Sequence, residues 1–421
     1  MFRPLLFNSA AELLALILAG NQAADKQMEQ FFRAHPGLGQ HDRGFVAETV
    51  YGCLRRKLSL AYRLGSEQPT AQALVAAYLL IEGGFSVRAL IDAGAQPAGV
   101  DLAALAARAR SDDPKMPLAA RTDLPDWLLP RLLAQYGESE TRAMAAALNQ
   151  PATLDLRVNT LKAGRAAVAE RLAQEGFPVE LTPLSPVGLR RKERAPLFTT
   201  TTFREGWFEI QDEGSQLVAF LLEPRRREMV VDFCAGAGGK TLQLGAMMAN
   251  SGTLYAFDVA AKRLARLKPR LIRAGLDNVR PVVIAHERED RIQRLHGKID
   301  RVLVDAPCTG SGTLRRSPDI KWREPDLPGL VETQKRLLAA AATLVKTGGR
   351  IVYATCSVLR EENDEVVGAF LADHPAFRPH PAADILARHS INIDMSDNAM
   401  RLYPHRHNTD GFYAIALDRQ D

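Results

Sequence analysis

Asp305-Ala306-Pro307-Cys308 closes one short apolar run of the chain, and Tyr353-Ala354-Thr355-Cys356-Ser357 closes a later one. If those runs are neighbouring parallel strands, about 5 Å apart, both thiols face one crevice at the carboxyl edge of a sheet. Open α/β sheets bind their ligands at that edge. A thiolate, a carboxyl group and a second proton-handling group are the minimum needed to alkylate a carbon that has no lone pair. Carbon 5 of cytosine is such a centre. A thiolate adding to carbon 6 moves electron density onto carbon 5, and a carboxyl group at ring N3 assists the addition. A base then takes the C5 proton and the thiol departs. Asp305, Cys308 and Cys356 supply this set, and the residues alone leave open which cysteine attacks. One cysteine at a strand end is usually a packing residue. Two of them, one in D-A-P-C and one in T-C-S, point to function.

A second group stands upstream, in Asp232-Phe233-Cys234-Ala235-Gly236-Ala237-Gly238-Gly239-Lys240-Thr241. Glycine between a strand and a helix lets the backbone approach a ligand closely. A phosphate-binding P-loop would need glycine at Cys234, and the dinucleotide fingerprint would need it at Thr241. The remaining D-x-x-x-G-x-G-G pattern suits adenosylmethionine, which has no pyrophosphate to cradle. Asp258 ends the next β-rich run, twenty residues beyond Gly238, where a carboxylate can accept both ribose hydroxyls.

The elements that must position these groups follow from periodicity. From about residue 225, β-rich runs at 229–233, 253–257, 279–284, 301–305 and 350–354 alternate with helical stretches at 240–248, 260–274 and 327–345. That alternation predicts a doubly wound, mostly parallel sheet. A last strand at 411–417 is expected to join antiparallel. Residues 150–220 read as a small α+β module with strands at 154–159, 178–181 and 206–211 and a helix at 165–175. Its basic run, Arg190-Arg191-Lys192-Glu193-Arg194, is either a solvated loop or a phosphate-binding patch. A helix is expected over 127–149, after a polar, Pro-containing linker at 109–125.

The first 110 residues are rich in Ala and Leu at helical spacing, with helices expected after Ser9, around Ala23, after Asp42 and around Gln72. Ser9-Ala10-Ala11-Glu12 reads as a capping box. Phe45, Val46, Thr49, Val50 and Cys53 share one helix face, so Cys53 is expected in the core. Arg55-Arg56-Lys57 at that helix end is either solvated or an RNA contact.

With 421 residues and 46% hydrophobic content, the chain can bury cores in two or three domains. Fifty-four Lys and Arg against 49 Asp and Glu leave a net charge of +5, compatible with a nucleic-acid partner without requiring one. Four unpaired-looking cysteines exclude a disulfide framework and show no zinc-ligand spacing. His405 and His407 read as loop residues rather than ligands, so no metal is expected. The short apolar run after Leu13 cannot span a bilayer, and a cytoplasmic protein without membrane attachment is expected.

At this point a resemblance becomes plain. D-x-C-A-x-x-G-G-K-T at 232–241, D-A-P-C-x-G-x-G at 305–312 and T-C-S at 355–357 resemble, in order and spacing, the Nol/Nop/Sun group of RNA cytosine-5 methyltransferases. Arg157-Val158-Asn159, Gln211-Asp212-Glu213-Gly214-Ser215 and Asp410-Gly411-Phe412-Tyr413 extend the likeness over nearly the whole chain. Asp42-Arg43 and Tyr51-Gly52-Cys53-Leu54-Arg55-Arg56 resemble the NusB-like RNA-binding domain of Sun-type ribosomal RNA enzymes. The resemblance implies a Rossmann-like class I methyltransferase domain with a mostly parallel seven-stranded sheet at 225–421. A linker helix and small α+β RNA-binding module at 116–224, and an all-α NusB-like domain at 1–115, would precede it.

The resemblance also implies roles. Cys356 is then the nucleophile, Cys308 assists product release and Asp305 contacts the cytosine. S-adenosylmethionine is held by Cys234, Ala235, Gly236, Gly238, Gly239, Lys240, Asp258, Arg263 and Asp305. DNA cytosine methyltransferases use a P-C cysteine instead, so the assignment comes from the likeness and not from spacing. Two departures stand out. The loop reads Gly236-Ala237-Gly238-Gly239-Lys240 where the family has A-P-G-G-K, and the acidic residue near the adenine is represented only by Glu287 or Asp290. The expected partner is ribosomal RNA, with transfer RNA as the alternative, and the expected state a monomer. DNA methylation, a ribosome-assembly factor with a vestigial cofactor site and a small-molecule methyltransferase are the competing readings. Because RNA bases are stacked, the target cytosine must be unpaired or easily opened.

Overall fold

The computed structural model describes residues 3–109, 113–193 and 195–420. Its chain divides into two compact units: residues 1–151 with 313–325, and residues 152–312 with 326–421. No helix among the described residues is long and apolar enough to cross a membrane.

The first unit is helical, with main helices Pro4–Ala19, Ala24–Ala34, Gln40–Arg55, Ala71–Ile81 and Leu129–Leu148. The last of these is broken at Gly137, where φ is +76°. Leu13, Leu14, Val46, Val50, Cys53 and Leu74 form its core. The first helix starts at Pro4, earlier than the capping-box reading placed it, and Ser9 lies buried within it. Proline's fixed φ and missing N–H suit the first turn, so Pro4 opens the helix in place of a side-chain cap.

Two residues of the basic helix end, Arg55 and Lys57, are drawn toward the interior of this unit. Arg55 is buried and donates to the Arg315 carbonyl at 3.1 Å, and Lys57 lies 4.5 Å from the Trp322 ring centroid. Both partners come from residues 313–325, a stretch distant in sequence that packs into this core. Trp322 Nε1 donates to the Leu54 carbonyl at 2.8 Å. Lys321, fully buried, donates to the Arg55 carbonyl at 3.0 Å and to Asn149 Oδ1. Most of the expected polar linker is likewise built into the unit: Leu118–Thr122 is helical, and Asp123 is buried and accepts from Ser59 N and Oγ at 2.8 Å. Residues 110–112 of that linker lie outside the described residues.

The second unit holds two sheets. In the small one, β1 (Leu154–Val158), β2 (Glu180–Leu181), β3 (Gly188–Arg191) and β4 (Phe208–Ile210) run in the order β2-β3-β1-β4. The basic run belongs partly to β3, whose antiparallel register sets Arg190 opposite Asp155. Arg190 is buried there, bonded to Asp155 at 2.7 Å and to Glu213 at 3.2 Å. It is a structural ion pair rather than part of a phosphate patch; Arg194 of the same run lies outside the described residues.

The large sheet contains β5 (Met229–Asp232), β6 (Thr253–Asp258), β7 (Val279–Val283), β8 (Ile299–Asp305), β9 (Val345–Thr355), β10 (Phe377–His380), β11 (Ala399–Leu402) and β12 (Phe412–Arg419). Its order is β10-β12-β9-β8-β5-β6-β7, with β11 also on β12. Strands β5 to β9 pair in parallel, and β12 lies antiparallel to β9. β10 and β11 pair with successive halves of β12, so eight strands fill the seven lanes of the expected Rossmann-like sheet. The chain winds outward in opposite directions from β5 and β8, which makes the carboxyl ends of those two strands the switch point where a crevice opens.

Candidate active site

Asp232, Asp258 and Asp305 end β5, β6 and β8, so three carboxyl groups surround the glycine loop. β8 and β9 are adjacent, with Asp305 in register with Ala354. Each strand runs on into a cysteine-bearing turn, and the turns meet: Cys308 Sγ lies 3.4 Å from Cys356 Sγ. Gly312 N donates to the Cys356 carbonyl at 2.9 Å, and Ser311 Oγ and Ser357 Oγ are 3.0 Å apart. Gly312 also meets Gly411 backbone to backbone, and a Cβ there would come within 2.3 Å of the Gly411 carbonyl. Only glycine permits that approach.

Lys240, just inside the helix Gly239–Met247, reaches across to Asp305, Nζ to Oδ2 at 2.7 Å, and lies 5.4 Å from the Phe412 ring centroid. The Asp305 carboxylate has no other hydrogen-bond partner among the described residues. The loop itself turns on Gly236 and Gly238, with φ of +58° and +86°. A Cβ on Gly238 would collide with Leu267, whereas at Gly236 it would meet nothing within 4 Å. The loop therefore packs on one side and borders open space on the other. Asp258, buried, accepts from Gly236 N at 2.8 Å, Ala260 N at 2.6 Å and the exposed Arg263 at 3.3 Å. Ala235 N is held by the Phe257 carbonyl at 2.8 Å.

Burial and a lack of partners shape the acid–base behaviour. Asp232 is buried and accepts from Thr241 Oγ1 at 2.6 Å. Burial outweighs its hydrogen bonds and the nearby Lys240 charge and pushes its carboxyl up to about 7. Burial, aided by the carboxylates of Asp232, Asp305 and Asp258, pushes the Cys234 thiol well up, making it a packing group rather than a nucleophile. The Cys308 thiol is also pushed well up, first by its hydrogen bond to Cys356, then by burial and the nearby charges.

The structure thus brings Asp305, Cys308, Cys356, Lys240, Asp258 and the glycine loop to one sheet edge. Several supports were not legible beforehand. Arg157 donates to the Gly239 carbonyl at 2.6 Å and to Gln211 Oε1, tying the small module to the loop. Asp212 accepts from Asp410 N at 3.1 Å, joining two motifs far apart in sequence. Glu362 braces the turn after Cys308. Arg157, Gln211, Asp212 and Asp410 stood in the motifs that carry the resemblance, whereas nothing in the sequence singled out Glu362. The acidic candidates after β7 do not converge on one place: Glu287 faces Arg336, 3.5 Å away, and Asp290 opens a short helix. It is Glu289 that folds back on that loop, accepting from Ala285 N at 2.7 Å.

A sequence model described as 16S rRNA methyltransferase RsmB/F matches residues 219–418. One described as the ferredoxin-like domain of RsmF/B-like methyltransferases matches residues 124–197. The chain is 32% identical to the probable ribosomal RNA small subunit methyltransferase B of Synechocystis sp. (strain ATCC 27184 / PCC 6803 / Kazusa), covering 98% of this chain and 99% of that protein. It is 33% identical to the corresponding probable enzyme of Bacillus subtilis (strain 168), over 73% of this chain and 69% of the other. Among solved structures, that of PH0851 superimposes with a TM-score of 0.81 at 27% identity, covering 100% and 99% of the two chains. A methyltransferase homolog protein from Pyrococcus horikoshii matches with a TM-score of 0.61 at 32% identity, over 72% and 97%.

Proposed function

Since the chain belongs to the RsmB/F family of 16S rRNA methyltransferases, we propose that it methylates carbon 5 of a cytosine in ribosomal RNA, with S-adenosylmethionine as donor and Cys356 as covalent nucleophile. The observation that carries this reading is the contact between Cys308 and Cys356 beside the Lys240–Asp305 pair. Methylation of nitrogen or oxygen needs no thiol, because the acceptor already has a lone pair; methylation of carbon 5 does.

The residues present fit the donor. Open space beside Gly236, a ribose-binding carboxylate at Asp258 and an acidic rim suit a nucleoside that bears a sulfonium cation. The loop Cys234–Gly239 would offer its backbone to the amino-acid part, while Asp258 takes the ribose hydroxyls and Arg263 steadies Asp258. When bound, the cofactor supplies an electrophilic methyl group. Lys240 orients Asp305, whose remaining oxygen is available to the cytosine N3 edge. Cys356 Sγ forms a bond to carbon 6, and the displaced ring electrons make carbon 5 the nucleophile for the methyl. Loss of the C5 proton restores the ring double bond and breaks the Sγ–C6 bond, and Cys308, 3.4 Å away, hydrogen-bonds the departing sulfur.

We place RNA contacts on the helical part at 1–115 and the α+β part at 116–224, with chemistry at 225–421, in a monomer working in the cytoplasm. The test is to incubate the protein with methyl-labelled donor and unmodified small-subunit RNA and to identify the product base. The expected product is 5-methylcytosine at a single position. A label on nitrogen or oxygen would overturn the reading.

A further inference from the structure

Glu362 is fully buried, with relative exposure of 0%, and carries no ion pair among the described residues. Its side chain nevertheless meets two N–H donors and a hydroxyl. Oε1 accepts from Thr309 N at 2.8 Å and from Gln334 Nε2 at 3.0 Å, and Oε2 accepts from Thr309 Oγ1 at 2.6 Å. Two N–H donors on Oε1 and a hydroxyl on Oε2 suit an acceptor-only, ionised carboxylate. Such charge-assisted bonds are the strong ones.

Their placement is specific. Thr309 follows Cys308 directly, and Gln334 also donates to the carbonyl of Pro307, the residue before Cys308, at 2.9 Å. Cys308 is therefore gripped on both sides by a Glu362–Gln334 bracket. The backbone of Glu362 is anchored to the other thiol's strand, because Tyr353 OH of β9 donates to the Glu362 carbonyl at 2.6 Å. Asn363, the next residue, accepts from Thr355 Oγ1 at 2.6 Å and donates to the Ser357 carbonyl at 3.0 Å, bracketing Cys356 in the same way. One short turn thus holds the residues on either side of both cysteines.

We propose that Glu362 is a positioning residue for product release, holding Cys308 as the S–H donor that faces Cys356. This inference rests on the cysteine roles given above. A buried carboxylate without an ion partner beside the Cys308 turn disfavours a second anion on Cys308, so the shared proton stays on Cys308, facing Cys356 Sγ. In release, the C5 proton passes to solvent water and the C5–H electron pair forms the C5=C6 bond. The Sγ–C6 pair returns to Cys356 Sγ, where the Cys308 S–H stabilises it. Loosening the bracket then slows breakage of the Sγ–C6 bond without removing the attacking thiolate.

The test is a rapid-quench comparison of wild type, Cys308→Ala, Glu362→Gln and Thr309→Val on a small-subunit RNA fragment. It follows first-turnover methyl transfer and the covalent protein–RNA adduct on denaturing gels. Glu362→Gln is expected to slow release about tenfold and to accumulate adduct as Cys308→Ala does, with first-turnover transfer within about threefold of wild type. Thr309→Val, which removes the Oγ1 bond to Glu362 together with the longer contacts to Ser311 N and Ser357 Oγ but keeps the Thr309 N–H bond, should shift release the same way by a smaller factor, and it decides the question if Glu362→Gln does not fold. Release at the wild-type rate, or loss of transfer in step with release, overturns the role of Glu362. If Cys308→Ala itself accumulates no adduct, the cysteine roles fall and this inference with them; if only the Glu362 and Thr309 variants fail to accumulate it, the cysteine roles stand.

Discussion

Cys308 Sγ and Cys356 Sγ lie 3.4 Å apart, although 48 residues separate them in sequence. The contact makes the two thiols unequal, because a proton shared between them raises the affinity of Cys308 for it.

That inequality is measurable by alkylation. Near neutral pH, iodoacetamide is expected to modify Cys356 first and Cys308 only later. Cys53 and Cys234, whose thiols burial pushes up, should stay unmodified until the protein unfolds. Peptide mapping by mass spectrometry after brief labelling gives the order. Labelling of Cys308 ahead of Cys356 would reverse the nucleophile assignment.

The Lys240–Asp305 bond of 2.7 Å predicts a kinetic defect. Lys240→Met leaves the carboxyl without its orienting partner, and kcat should fall about 100-fold, roughly 3 kcal/mol in transition-state terms. Steady-state kinetics with RNA saturating would show it. A kcat within about threefold of wild type means that the pair is not used in the chemistry.

Asp232 predicts a pH-dependent difference in stability. Its carboxyl is raised from 3.8 to about 7 in the folded protein, so the fold prefers it protonated. The stabilisation from this group is fully present below about pH 4 and is lost as pH rises through about 7. Asp232→Asn cannot titrate. The melting temperature of the variant relative to wild type should therefore climb across that window, by an amount on the order of 2–4 kcal/mol in free energy. Thermal melts at several pH values would check this, and a flat difference would show that Asp232 does not titrate there.

Residues 313–325 predict a stability effect confined to the helical unit. Trp322 and Lys321 fill and bond its interior. Trp322→Ala should cost about 3 kcal/mol, and Lys321→Ala a similar amount, because it strands the buried Asp123 and Asn149. Hydrogen exchange should show lost protection in the helix Gln40–Arg55, with the β8–β9 ladder unchanged. Equal loss in both places would contradict the division into units.

Sequence by itself determined the parts whose information is local. Alternating β-rich and helical runs announced the wound sheet, because strand and helix periods are properties of short windows. The glycine loop, Asp258 and the two cysteine motifs were likewise visible as residue types at strand ends. Charged groups were read less well. Arg55, Lys57 and Arg190 looked like surface charge, yet each is taken up by a partner far along the chain. A window of sequence does not show what will neutralise a charge, so a solvated loop and a nucleic-acid contact stood as equal readings.

Only the tertiary structure decided how those local signals combine. It placed Cys308 against Cys356, Lys240 on Asp305 and Glu362 behind the Cys308 turn, and it grouped residues 313–325 with the amino-terminal helices. The physical reason is range. Backbone preference acts over a few residues, whereas a hydrogen bond or a buried ion pair joins whichever atoms the packed sheet brings within about 3 Å, regardless of their separation in sequence.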